Sequence, residues 1–443
     1  MTRHDRPRAA SGYHGGHLSM RAPLLLLPAV LLVLSALATS AQAPADATVE
    51  RLYGHPGYRV AAQYLARDYD RFVDELIQLT EVPAPPFGED ARADAFVELA
   101  RASGLSDIER DEEGNVLILR PGTGNLLLVV AAHLDTVFPP ETDVTVRRNG
   151  TILSAPGIGD NSQGVAALLA IARALDFGML HTTSNILFVA NVGEEGPGSL
   201  RGVRHLFTKG RYAGRIDAFI SIDGMGSGNY ITTGGVGSLR YRVTFDGPGG
   251  HSYGAFGLVN PANALAAAIR HIGAIAVPAS PRTTFNVGLI GGGTSVNTIP
   301  SSVWMDVDLR SESPDELQRL DAAFRDAVDR AVDEENRARS TSSGRISATI
   351  DLLGERPSGR TPHTDRLVRT TAAAMRITGL EPQYGWSSTD ANLPMSLGVP
   401  AITIDTGIRG DRAHAPDEWI DIERGRVVSG LQRVLLIVLG AAM

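Results

Sequence analysis

Five short segments bring together residue types that bind divalent metal ions. His133 and Asp135 stand two apart at the end of an apolar run, so on a strand both side chains point the same way. That pairing suits a metal-binding imidazole and a carboxylate that orients it. Asp160 follows Gly157-Ile158-Gly159 and precedes Asn161 and an apolar helical pattern, where it can serve either as a helix N-cap or as a ligand. Glu194 and Glu195 are adjacent and flanked by Gly193 and Gly196. Two neighbouring carboxylates repel each other, so the pair belongs either on a solvated loop or beside cations. Asp223 and His414 complete the set. The chain has no cysteine, so any bound metal rests on imidazole and carboxylate ligands. Such donors suit Zn²⁺, with Co²⁺ or Mn²⁺ as substitutes.

The elements that must position these groups are legible in the hydrophobic pattern. Apolar runs at Leu126–Ala132, Ile186–Val192, Phe219–Ile222 and Ala401–Ile404 read as strands covered on both faces. His133, the Glu194–Glu195 pair and Asp223 follow the first three directly, and His414 lies beyond the fourth. Helical patterns separate them: Gly57–Leu79 and Glu89–Leu105 before the first, Val165–Leu175 after it. Strands alternating with helices predict an α/β catalytic domain with a mostly parallel sheet flanked by helices. Ligands in such sheets bind outside the carboxyl ends of the strands. Their joint placement there makes a functional site of residues that are each ambiguous alone.

Residues 238–352 follow another pattern. Leu239–Phe245 alternates as a half-exposed strand, Pro261–Ile275 is helical, and Thr284–Ile290 and Ser302–Leu309 read as strands. Pro314–Ala338 is a long charged helix and Arg345–Ile350 a last strand. The order β-α-β-β-α-β predicts an inserted α+β lid between catalytic segments at 50–237 and 353–443.

The chain has 443 residues, enough for two domains, with 43% hydrophobic and 20% charged residues and a formal net charge of −8. An acidic protein of this kind does not fit nucleic acid, whose phosphates call for clustered Lys and Arg. Residues 1–43 combine Arg21, the apolar run Pro23–Leu37 and an Ala-Gln-Ala ending at 43, the pattern of a signal peptide with a start at Met1 or Met20. This predicts a secreted or periplasmic enzyme, or a membrane-anchored one if the leader stays uncleaved. Val427–Met443 is apolar but interrupted by Gln432 and Arg433, and reads as a buried terminal helix.

In this order, H-x-D, G-x-G-D-N, G-E-E-G, S-I-D-G and H-x-P-D-E resemble the di-zinc metallopeptidase family of peptidase T, carboxypeptidase G, aminoacylase and acetylornithine deacetylase. The resemblance spans roughly 60–440. The Val82–Gly88 loop and Asp111–Asn115 lean toward the peptidase T side. It implies two zinc ions bridged by Asp160, with His133 and Asp223 on one, and Glu195 and His414 on the other. Asp135 would orient His133, Glu194 would act as general base, and Asp160–Asn161 would be a cis peptide. In the lid, Gly249-Gly250-His251-Ser252 matches a segment whose histidine reaches the partner's active site in a homodimer. Asn297 and Arg310 match positions that hold a substrate carboxylate, although Arg310 also fits an ordinary strand surface. Ser162-Gln163 and Ser387-Ser388-Thr389-Asp390 depart from common family segments, which bears on substrate preference. The implied substrates are short peptides or N-acyl amino acids. An inactive binding protein of the same fold would have lost Glu194 or a ligand, and none is lost.

Overall fold

The computed structural model describes residues 45–443, and Ala45–Met443 forms one compact unit. The reading of 1–43 as a leader lies outside the described residues.

The larger sheet has nine strands. At its centre Asn185–Asn191, Leu127–His133, Ala218–Ile222 and Ala401–Ile404 run parallel, side by side in that order. Strict alternation splits each strand between two cores. Leu128, Val130 and Ala132 face the helix Gln163–Phe177 and the helices packed with it. Leu127, Val129 and Ala131 face the opposite layer, which includes the helix Arg201–Thr208. Every residue of Leu127–His133 is buried, which is why the run is apolar without a break.

Three expectations needed adjustment. Gly57–Leu79 is not one helix but two, Pro56–Arg67 and Tyr69–Thr80, divided at Asp68. Asp68 is drawn inward to Arg173, whose guanidinium also pairs with Glu75 at 2.9 Å. A buried charge of this kind must be matched, and losing one partner costs roughly 3–5 kcal/mol. Periodicity also did not disclose Tyr230–Gly235, which extends the sheet antiparallel to Ala401–Ile404. Nor did it disclose a small sheet in which Gly410–Asp411, Trp419–Asp421, Ile152–Ser154 and Arg147–Asn149 lie in order. That sheet ties the His414 segment to the chain leading into Asp160. The C-terminal helix Arg424–Ala442 is long and apolar enough to cross a membrane, but it is mostly buried in the protein.

The inserted segment builds a four-stranded antiparallel sheet: Thr283–Gly292, Ser302–Ser311, Gly237–Asp246 and Ser347–Arg356, in that order. The helices Pro261–Gly273 and Pro314–Ala338 share a separate core with one face of it. Ser302–Ser311 alternates buried and half-buried positions along its whole length. Val303, Met305, Val307 and Leu309 turn inward, so Asp306, Asp308 and Arg310 share the other face.

Candidate metal centre

The carboxyl ends of the parallel strands deliver His133, Glu195 and Asp223, and the small antiparallel sheet brings Asp160 and His414 to the same place. Asp160 stands between two imidazoles. Its Oδ1 lies 3.0 Å from His133 Nε2 and its Oδ2 lies 3.2 Å from His414 Nε2. Asp223 Oδ1 is 3.5 Å from the same His133 nitrogen, and Glu195 Oε1 is 2.9 Å from His414 Nε2. Donor atoms of His133, Asp160 and Asp223 therefore cluster on one side, and those of Asp160, Glu195 and His414 on the other. His133 Nε2 and Asp160 Oδ1 are both buried and neither makes a hydrogen bond. Buried polar atoms without partners are uncommon. Two of them facing each other inside a ring of carboxylates fit a cation-binding role.

The backbone explains how the ligands are held. Gly164 packs so tightly that a Cβ there would lie 2.7 Å from the Ile222 carbonyl, and this closeness draws the Asp160 turn onto the strand that ends at Asp223. Gly193 has φ 66°, a left-handed turn that glycine adopts freely and that swings Glu194 and Glu195 back over the sheet. His414 itself has φ 65°, a conformation costing a non-glycine residue about 1–2 kcal/mol. The Asp160–Asn161 peptide is cis, as the resemblance implied.

Asp135 works differently from expectation. Its main-chain oxygen, not its carboxylate, holds His133 Nδ1 at 3.0 Å. The carboxylate stands 3.7 Å from that nitrogen and accepts the amides of Glu194 and Glu195 at 2.9 and 2.7 Å. One residue thus orients both the imidazole and the double-glutamate loop.

Electrostatics follow from crowding. Burial opposes charge on His133, yet the carboxylates of Asp135, Asp160 and Asp223 hold its pKa well above the ordinary value. Hydrogen bonding to Asp160 and Glu195 raises His414 to about 10. Burial lifts Glu194 well above the usual carboxylate range, against the opposing pull of Arg356 and His133. A base with raised affinity for protons suits proton transfer near neutral pH.

Three contributors escaped sequence reasoning. Glu418 accepts the amides of Gly157, Gly159 and Asp160 at 2.7–2.9 Å and so clamps the Asp160 turn; burial pushes it up to about 7. It sits in the His414 motif, so its acidity was the available signal. Asp390 is fully buried, accepts from Asn191 at 2.7 Å, and is raised to about 7 by burial. Arg356, at the end of the last lid strand, donates to Glu194 Oε1 at 2.8 Å and also to the Glu194 carbonyl. No local pattern marks it, because its partner lies 162 residues away.

These groups open into a cavity of about 970 Å³ whose lining includes Glu194, Asp223, His414, Trp386, Arg240, Arg310 and Arg356. Arg310 is thus brought to the site. His251 and Asn297 are not. They lie together on the exposed side of the lid, where Ser252 N donates to the Asn297 carbonyl.

A mostly parallel sheet ending in a carboxylate-bridged pair of imidazoles defines a metal-dependent hydrolase. Residues 129–434 match the model of peptidase family M20/M25/M40, and the chain belongs to that family. A succinyl-diaminopimelate desuccinylase of Corynebacterium glutamicum is 23% identical over 368 residues, covering 78% of this chain and 91% of its own. The aminopeptidase PepT from Bacillus cereus superposes with a TM-score of 0.68 at 19% identity, over 85% of this chain and 99% of that one. The YXEP protein of Bacillus subtilis, described as a dinuclear metal binding peptidase, gives 0.61 at 15% identity, over 85% and 99%. The chain is accordingly an enzyme that hydrolyses amide bonds with metal.

Proposed function

We propose that the enzyme cleaves short peptides bearing a free carboxylate, using two zinc ions. The observation that carries this reading is Asp160, with one oxygen toward each of two imidazole–carboxylate clusters. His133 and Asp223 would hold one ion, Glu195 and His414 the other, and Asp160 both. When bound, such ions supply a water of lowered pKa and polarise the scissile carbonyl. Glu194 takes the proton from the attacking water and passes it to the departing amine. Arg356 fixes Glu194 Oε1, which leaves Oε2 for the proton. Arg310 pairs with the substrate carboxylate, a task suited to its planar fork. His251 and Asn297, remote from the cavity of their own chain, would serve a partner's cavity in a homodimer formed through the lid.

A second reading, a deacylase of N-acyl amino acids, uses the same groups and is favoured by the desuccinylase relative. A liberated-amine assay on tripeptides and N-acetyl amino acids separates the two. Metal analysis should find about two ions per chain. Glu194→Gln should keep both ions and lower kcat about 10²–10⁴-fold. Retained turnover in that variant would remove Glu194 from the base role.

A further inference from the structure

The lid wall of the cavity carries more guanidinium donors than one carboxylate requires. Arg242, Arg240 and Arg310 share the open face of the lid sheet with Asp306 and Asp308. Arg242 is fully matched: it grips Asp306 through two hydrogen bonds of 2.8 and 2.7 Å and lies over the Trp304 ring at 4.2 Å. Arg240 and Arg310 are not matched in this way. Both spend only Nε, and both spend it on the same carboxylate, Asp308, at 3.3 and 2.6 Å. Among the described residues no other hydrogen bond engages either guanidinium. Both line the cavity.

The consequence is one surplus positive charge and two guanidinium ends free to act as donors. Asp308 orients both side chains through Nε, so each arrives pre-aimed. One guanidinium suffices to pair bidentately with one carboxylate. Arg356, the third arginine of the wall, is already neutralised by Glu194. With a guanidinium end unspent on each, the pair Arg240–Arg310 has donors for a second carboxylate on the same substrate. Small polar residues, Ser387, Ser388, Thr389 and Thr232, line the same cavity together with Trp386.

We propose that Arg240, held beside Arg310 by their shared Asp308, is a specificity residue for a second carboxylate, so that preferred substrates end in glutamate or aspartate. This rests on the reading of the enzyme as a hydrolase of short carboxylate-bearing amides. Arg310 takes the α-carboxylate and Arg240 the acidic side chain.

The test compares Gly-Gly-Glu with Gly-Gly-Gln, near-isosteric tripeptides that differ by that charge, on the metal-loaded enzyme. The wild type should favour Gly-Gly-Glu in kcat/KM by at least about tenfold. Arg240→Gln should abolish that preference, mainly through KM, while retaining the wild-type metal content. Arg240→Lys should restore part of it, because charge survives and the fork does not. Equal rates for the two peptides on the wild type, or an equal loss on both in Arg240→Gln, would overturn the assignment. If neither peptide nor any acyl amino acid is cleaved, the broader functional reading fails instead, and the two failures are distinguishable.

Discussion

The two ends of the cavity are built on opposite plans. At the metal end nearly every group contacts another group of the site. Asp160 touches both imidazoles, Glu418 clamps the Asp160 turn, and Asp135 holds both His133 and the Glu194–Glu195 loop. At the lid end Arg240 and Arg310 meet only at Asp308 and otherwise present free donors. The metal end is a network in which one change disturbs several ligands. The lid end is a set of separable contacts on a sheet with its own core. The interlocked groups stand where strand ends converge, and the separable ones on a separately packed unit.

This contrast makes graded predictions. The largest effect belongs to Asp160→Ala, which removes the group common to both clusters. Metal content should fall to one ion or none and turnover by at least about 10³-fold, measured by elemental analysis beside a peptide assay. Two ions retained at full occupancy would show that the clusters are independent and break the network picture. An intermediate effect is expected for Glu418→Gln, which keeps the shape but weakens the clamp on the Asp160 turn. Metal affinity should drop about 10–100-fold in a competition titration with a chelator, with turnover recovering at saturating metal. The smallest effect belongs to the lid end, to Arg310→Gln, which should leave metal content intact. Its KM should rise about 10–100-fold for carboxylate-bearing substrates, and much less for the corresponding C-terminal amides. A loss of metal in this variant would mean that the two ends are coupled after all.

The same contrast explains what could be read in advance. The cluster of His133, Asp160, Glu194, Glu195 and Asp223 was legible because each follows an apolar strand or opens a helix, and strand ends in a parallel sheet converge by construction; His414, on a loop beyond the last parallel strand, was marked by its motif alone. The inserted β-α-β-β-α-β unit was legible because its alternation and its long charged helix differ from the buried runs on either side. The break at Asp68 was not legible. Hydrophobic periodicity continues through it, and only the buried partner Arg173 gives the acid a reason to interrupt the helix.

By itself the sequence determined the composition of the centre: imidazoles and carboxylates, no thiolate, strand ends as their mounts, and glycines where the chain must turn. Tertiary structure decided how those groups divide their labour. It assigned the Asp135 carboxylate to the Glu194–Glu195 amides and its carbonyl to His133. It brought Arg356 across 162 residues to Glu194, and set Arg240 beside Arg310 on one lid face. The physical reason is that residue type and periodicity encode which face a side chain takes, a local property. Which groups meet across that face depends on sheet register and on the approach of the lid, and both are products of packing.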